Sequence, residues 1–315
     1  MSRVYDYQKK TSDFIRQNSI LQNFTKNSWC ILSPIEQSIK RKIEAVGVPL
    51  KDWNISINYG IKTGCNEAFI IDGATKDALI AQDPKSAEII RPILRGRDIK
   101  RYSYKFADKY VILAEFGSHK YLEEKYPAIY NHLLSYKTKL EQRGQCRYMA
   151  NGKPNPKGEY PGQHHWLELD NNPRRHYLDD FSKQKIVWKR IGSIIRFAID
   201  ENGVCPLDSV CFLTGNENLK YIVGYLNSSF AIKQLLDNSP KTGTGDVIIS
   251  VQALEPLLIP KCSTLEQEKI ENIVDNILKS NDMENFQHLI DLEFKKIFHL
   301  TDEEFSIYNL SVSEI

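Results

Sequence analysis

No stretch of this chain approaches the ~18 uninterrupted apolar residues that a membrane-spanning helix needs. Its opening residues, MSRVYDYQKKTSDF, are polar where a signal peptide would be apolar. Six cysteines stand apart at 30, 65, 146, 205, 211 and 262, with no CxxC among them. That scatter argues against a disulfide framework or a zinc finger and favours reduced thiols. Also missing are a GxGxxG after a strand, a GxSxG, an HExxH, the GK[ST] ending of a Walker loop and any N/D-P-P-Y/F tetrapeptide. Asn171-Asn172-Pro173-Arg174 is no substitute for the last, since it has neither the second proline nor the aromatic. The expectation is a soluble cytoplasmic protein with no membrane partner and no evident catalytic centre.

What is there is a globular composition with an uneven distribution of charge. The chain has 315 residues, 41% hydrophobic and 26% charged, which suits one large domain or two unequal ones. A net charge of +2 conceals the segregation. Arg91 to Lys109 holds seven basic residues against two acidic, and Arg143 to Arg196 holds eleven against five. From Ser263 to the end the balance reverses, four against twelve. Either these runs merely solvate a surface, or a basic face meets a polyanion while the acidic end turns elsewhere.

Periodicity sets the elements. Ser33 to Val46 reads as a helix, with Ser33 as cap, Pro34 in the first turn, Glu36 three residues after the cap and Ile35, Ile39 and Ile43 on one stripe. Tyr5 to Asn23 has helical character too. Ile55 to Ile71 reads as strand, turn and strand, followed by a helix over Thr75 to Gln82 and a short one from Asp83 to about Pro92. Tyr110 to Glu115 reads as a strand, and Lys120 to Glu141 as helical despite Pro127. The stretch from Gln142 to Gln163, rich in Gly, Pro, Asn and Lys, is expected as an exposed loop. KIVWKR, IIRFAID and SVCFLTG suggest an antiparallel meander, and Leu219 to Asp237 a helix. A glycine-rich KTGTGD, a strand DVIISV and PLLIP follow, then amphipathic helices to the end. A few helices among short, irregularly spaced strands predict an α+β fold, with an antiparallel or mixed sheet, flanking helices and a helical C-terminus.

Three regions carry candidate chemistry. In Gly60-Ile61-Lys62-Thr63-Gly64, glycines could let a phosphate approach the backbone while Lys62, Thr63 and nearby Asn66 donate; a plain tight turn is the alternative. Around Gly96 stand Arg95, Arg97, Lys100 and Arg101, of which Asp98 can satisfy about one, leaving the rest for an external anion. The third region interleaves cations and rings: Arg147, Tyr148, Lys153, Lys157, Tyr160, His164, His165, Trp166, Arg174 and Arg175. That pattern suits backbone neutralisation with stacking. His164 and His165 have no carboxylate or cysteine at metal-ligand spacing, and no metal is expected. Lys183, Lys185, Lys189 and Arg190 are expected near one surface. A lysine inside an apolar strand also fits a nuclease core, but Asp179 and Asp180 lie off the pattern such a core needs.

At these residues the chain resembles the TaqI-like C-terminal specificity domain of adenine-specific DNA methyltransferases, particularly those of fused type IIG restriction–modification enzymes. The resemblance runs in order through SPIEQSIKRKIEAVGVPLKDWNISINYGIKTGCNEAFIID, EIIRPILRGRDIKRY, KIVWKR, YIVGYLNSSF and PLLIP with LEQEKI, and on to IDLEFKKIFHLTDEEF. The PLLIP–LEQEKI junction is also similar to type I specificity subunits. The resemblance implies a DNA target-recognition domain over 29–262, a helical linker over 1–28 from a methyltransferase domain that the chain lacks, and a helical segment over 263–315. Such a chain would be an isolated recognition segment or a piece of a larger enzyme. Its implied partners are double-stranded DNA and a methyltransferase domain or subunit that flips the target adenine. No cofactor is expected here; S-adenosylmethionine, with magnesium as a second candidate, belongs to the other domains. Lys62, Arg95, Arg97, Lys100 and Arg101 would hold phosphates, and Arg147, Lys153, Arg174 and Arg175 would read bases. Thr63, Asn66, Tyr148, Lys157, Lys189 and Arg190 complete the expected DNA-binding set. The competing readings are a nuclease with a cryptic metal-dependent site and a protein-interaction module docking through its C-terminal helices.

Overall fold

The computed structural model describes residues 33–279 and 283–308. The helix expected over Tyr5 to Asn23 and the linker expected over 1–28 lie outside the described residues. Helix α1 (Pro34–Val46) opens with the capping box its spacing predicts. Ser33 N donates to Glu36 Oε2 at 2.8 Å and Glu36 N to Ser33 Oγ at 3.3 Å. Next come β1 (Gly47–Pro49), β2 (Ile55–Tyr59), β3 (Ile70–Asp72), α2 (Gly73–Gln82), β4 (Ile90–Leu94) and β5 (Lys109–Ile112). Helix α3 (Pro127–Leu134) precedes the long loop. Beyond that loop lie β6 (Lys185–Lys189), β7 (Ile191–Gly192), β8 (Phe197–Asp200), β9 (Cys205–Pro206) and β10 (Val210–Gly215). Helices α4 (Leu219–Leu226) and α5 (Ser229–Asn238) lead to β11 (Val247–Ile248) and β12 (Leu258–Pro260). Three further helices follow: α6 (Thr264–Lys279), α7 (Met283–Ile297) and α8 (Asp302–Tyr308).

A four-stranded antiparallel sheet, in the order β2-β10-β6-β8, occupies the centre. Side chains alternate across a strand, so successive residues enter different cores. Ile186, Trp188, Phe197, Ile199, Cys211 and Leu213 fill the one shared with α1 and with α4 to α8. Val187, Ala198, Val210 and Phe212 fill the other, shared with β3, β4, β5, α2 and α3. Burial on both faces is why these strands read as near-continuous apolar runs. The second core lies against a mixed sheet, β3-β5-β4-β9, in which only β4 and β9 are parallel. The fold is α+β.

The topology redraws several expectations. β2 and β3 are not a local pair: they belong to different sheets, because the chain between them runs along the central layer. Gly60 N donates to Val210 O and Ile61 N to Pro206 O, both at 2.8 Å, and Asn66–Phe69 then forms a helical turn where strand was expected. The meander is absent as well, since β6 lies between β8 and β10 while β9 carries the chain to the other sheet. Pro92 sits in a strand, the Asp83-capped turn being only the 3-10 segment Pro84–Glu88. Pro127 begins α3, as its missing N–H and fixed φ favour, so the helix expected across it is broken. Asn227 ends α4 by bonding the backbone of Phe197 through Oδ1 at 3.1 Å and Nδ2 at 2.9 Å, and Ser228 caps α5. Among the described residues, no helix is long and apolar enough to cross a membrane.

Candidate nucleic-acid interface

The turn after β2 is held from beneath by a buried arginine. Arg143 uses its whole guanidinium on carbonyls and one carboxylate: Leu140 O at 3.1 Å, Thr63 O at 2.9 Å, Asp170 Oδ1 at 3.1 Å, and Trp166 O and Glu168 O at 2.7 Å each. Asp170 also meets His164 Nε2 at 3.1 Å and lies 3.8 Å from Lys62 Nζ. Burial alone would raise the Asp170 carboxyl, yet the His164 hydrogen bond and the charges of Arg143 and Lys62 hold it below its ordinary range. Burial pulls His164 down, but Asp170, Cys146 and a backbone carbonyl together lift it to about 9. This network joins the Lys62 turn to the long loop.

Glycine in this turn serves packing rather than an open cradle. Gly64 is left-handed, φ 70°, and any Cβ would collide with the Asp170 carboxylate. Thr63 is buried and donates inward to Asn66 Oδ1 at 2.6 Å, which corrects its expected role as an outward donor. Asn66 and Lys62 remain exposed. Lys62, Asp170, Asn172, Arg174, His176 and Tyr177 line a concavity of about 340 Å³. Asn171 and Asn172, at φ 66° and 49°, turn the chain so that Arg174 joins that wall. Gln145 fixes the bend, accepting from Asn171 N and donating to Asn171 Oδ1 at 2.7 Å each.

The Gly96 loop is less available than its charge suggests. Arg95 clamps Asp98 through two bonds of 2.7 and 2.9 Å, so it is internally paired. Arg101 is buried, its side chain facing Asp291 of α7 and Arg196, which removes it from the expected phosphate contacts. Its burial follows from Tyr102, which plugs the first core and donates to Gln287 Oε1 at 2.6 Å. Arg97 and Lys100 stay exposed. The stem of Lys189 packs on Gly96, and Arg190 lies over the Tyr59 ring at 6.0 Å. A continuous band thus runs from Arg97 through Lys189, Arg190 and Tyr59 to Lys62 and Arg174.

Beyond the network, residues 147–161 form a mainly exposed tip tied by short turns. Met149 N donates to Lys153 O at 2.8 Å, and Asn155 N to Pro161 O at 2.7 Å. Arg147, stacked on Tyr148 at 5.1 Å, and Lys153 and Lys157 project from it. Arg175 is exposed and pairs with Asp179 at 3.2 Å. Lys185 corrects another expectation. It is fully buried in an ion pair with Asp200, away from Lys189 and from solvent. Asp200 is the acidic partner that the nuclease reading lacked, but Tyr104, Asn202 N and Val204 N occupy its oxygens. Among the described residues, no group of three or more His, Cys, Asp or Glu could hold a metal ion. Sequence reading missed Arg143 and Asp170 altogether, their partners being remote along the chain.

The pattern of the TaqI-like C-terminal specificity domain matches residues 91–256. The type II methyltransferase M.MjaIV of Methanocaldococcus jannaschii is 26% identical over 251 residues, covering 78% of either chain. Among solved structures, the type IIL restriction–modification enzyme MmeI in complex with DNA aligns with TM-score 0.55 at 10% identity over 82% of this chain. The type IIG restriction endonuclease BpuSI aligns with TM-score 0.49 at 12% identity over 87%. This chain covers 35% and 31% of those two proteins, about a third of their length. Since the matched pattern spans more than half of the residues, the chain belongs to the TaqI-like C-terminal specificity domain family, the class that gives restriction–modification methyltransferases their choice of DNA sequence.

Proposed function

We propose that this chain is the DNA target-recognition module of a type II, adenine-specific restriction–modification methyltransferase. It holds a duplex in register while a companion domain, which binds S-adenosylmethionine, flips and methylates the adenine. The observation that carries this reading is the band of exposed cations from Arg97 to Arg174, flanked by the anchored tip at 147–161. Lys62, Arg97, Lys100 and Lys189 suit phosphate contacts, which position but do not specify. Arg147, Lys153, Arg174 and Arg175 present forked or long donors for base edges in the major groove, where each pair shows a distinct pattern. The Arg143 network supplies the rigidity such readout needs, because its buried carboxylate, Asp170, pairs with Lys62 and lies four residues before Arg174, which stacks on Phe116.

A salt titration of duplex binding by the full chain tests it. Neutralising about four phosphates gives a log–log slope near −4. A flat dependence, or no binding at low salt, would favour a protein-docking role instead.

A further inference from the structure

Arg190, midway along the cationic band, is tied to a small β-ribbon that the base-reading region above does not include. β7 and β11 pair antiparallel, Gly192 opposite Val247 and Ile191 opposite Ile248. The segment 240–242 joins them, with Ile248 N donating to Pro240 O and Thr242 N to Asp246 O, both at 2.8 Å. The root is rigid. Ile195, Val247 and Ile249 are buried in the first core, Trp188 Nε1 donates to Ile249 O at 2.9 Å, and Ile249 N donates to Arg190 O at 2.8 Å.

The tip has the opposite character. Lys241, Gly243, Thr244, Gly245 and Ser193 are exposed, and Ile194 leaves 43% of its surface in water. Gly245 needs glycine for its φ of 90°, but Gly243 does not adopt that region, and nothing lies within 4 Å of a Cβ added there. Neither conformation nor crowding within the chain calls for glycine at 243. A glycine there leaves the backbone open to close approach from outside the chain. Thr242 Oγ1 is already engaged by Asp246 N at 3.0 Å, whereas Thr244 Oγ1 contacts only that hydroxyl at 2.9 Å and keeps capacity outward.

A major groove admits a two-stranded β-ribbon, in which threonine reads either donor or acceptor and an apolar side chain meets the thymine methyl. We propose that the 190–195/240–248 ribbon is a second reading element, placing Ile194 against a thymine 5-methyl group and Thr244 against a base edge. The proposal rests on the duplex-recognition reading above and deepens it.

The test begins by selecting sequences from a randomised duplex library with the full chain, then replaces each thymine of the selected site by uracil. One replacement should weaken wild-type binding about tenfold, the size of a lost specific contact. Ile194→Ala should show a similar loss on the thymine duplex and no further loss on the uracil one. Gly243→Leu, in open space, should melt like wild type yet weaken binding and blur the consensus. If both variants keep wild-type affinity and consensus, the ribbon reads nothing and the proposal falls alone. A wild-type chain that enriches no sequence overturns the recognition reading, and this proposal with it.

Discussion

The two basic stretches look alike in sequence and are used in opposite ways. Around Gly96, one arginine is clamped by its neighbour Asp98 and another is sunk against α7, leaving Arg97 and Lys100 outside. From 143 to 190, one arginine and one lysine are sunk, at Arg143 and Lys185, while Arg147, Lys153, Lys157, Arg174, Arg175 and Lys189 stay exposed. The lesson is that a cation count measures the capacity to bind an anion only after internal carboxylates and carbonyls have taken their share. The second stretch keeps the more exposed cations, and its buried arginine ties the long loop to the Lys62 turn.

The severest way to break this comparison is Arg143→Met. It leaves Asp170 buried beside His164 with one of its cations gone and the carbonyls of Thr63, Trp166 and Glu168 without a donor, a loss of about 3–5 kcal/mol in urea unfolding. Arg143→Lys should recover little, since a point charge cannot reach that spread of acceptors. A variant that folds as tightly as wild type but loses DNA would move Arg143 into the binding surface and erase the contrast.

The same network has a pH signature. His164 titrates near 9 in the folded chain, above its ordinary value of about 6.5. The raised value means that its stabilisation is full below about 6.5 and disappears as pH climbs through 9. Melting temperature should therefore fall over that interval. The fall should be smaller in His164→Gln, and an equal fall in both would assign it to other groups.

These particulars also show what sequence could and could not disclose. Helix α1 was legible to its cap because every determinant lies within four residues. Strand identity in KIVWKR and SVCFLTG was legible, but partner choice was not, because β2 joins β10 across more than 150 residues of chain and no local pattern encodes that. The basic regions were visible as charge, and Arg97, Lys100, Arg147, Lys153 and Arg174 do lie outside. The burial of Arg101 and Thr63 was hidden, since it depends on α7 and on a neighbour's amide. The ribbon at 240–248 left a signal, glycine-rich KTGTGD before the apolar run Val247 to Ile249, but its link to Arg190 is tertiary.

Arg101 and Arg97 offer a matched pair within one loop. Arg101→Ala should cost about 2 kcal/mol through lost packing in its buried site and leave the salt slope of binding unchanged. Arg97→Ala should leave unfolding unchanged, lower affinity for all duplexes alike and reduce the slope by about 1. The reverse assignment would mean that the buried and exposed halves of this loop have been exchanged.

The smallest effect is expected at Arg175, where the comparison can be refined rather than broken. Its ion pair with Asp179 is solvent-exposed and one helical turn apart, so Arg175→Ala should change stability by no more than ~0.5 kcal/mol. Binding is then the informative readout. A guanidinium that reads a base edge gives a variant whose preference relaxes at one base pair while the salt slope barely moves. One that holds a phosphate gives a shallower slope with the consensus intact. Asp179 sharpens the distinction, because Asp179→Asn frees the guanidinium without removing it. Affinity should then rise slightly for every duplex if Arg175 serves the backbone, and for the selected site alone if it serves a base.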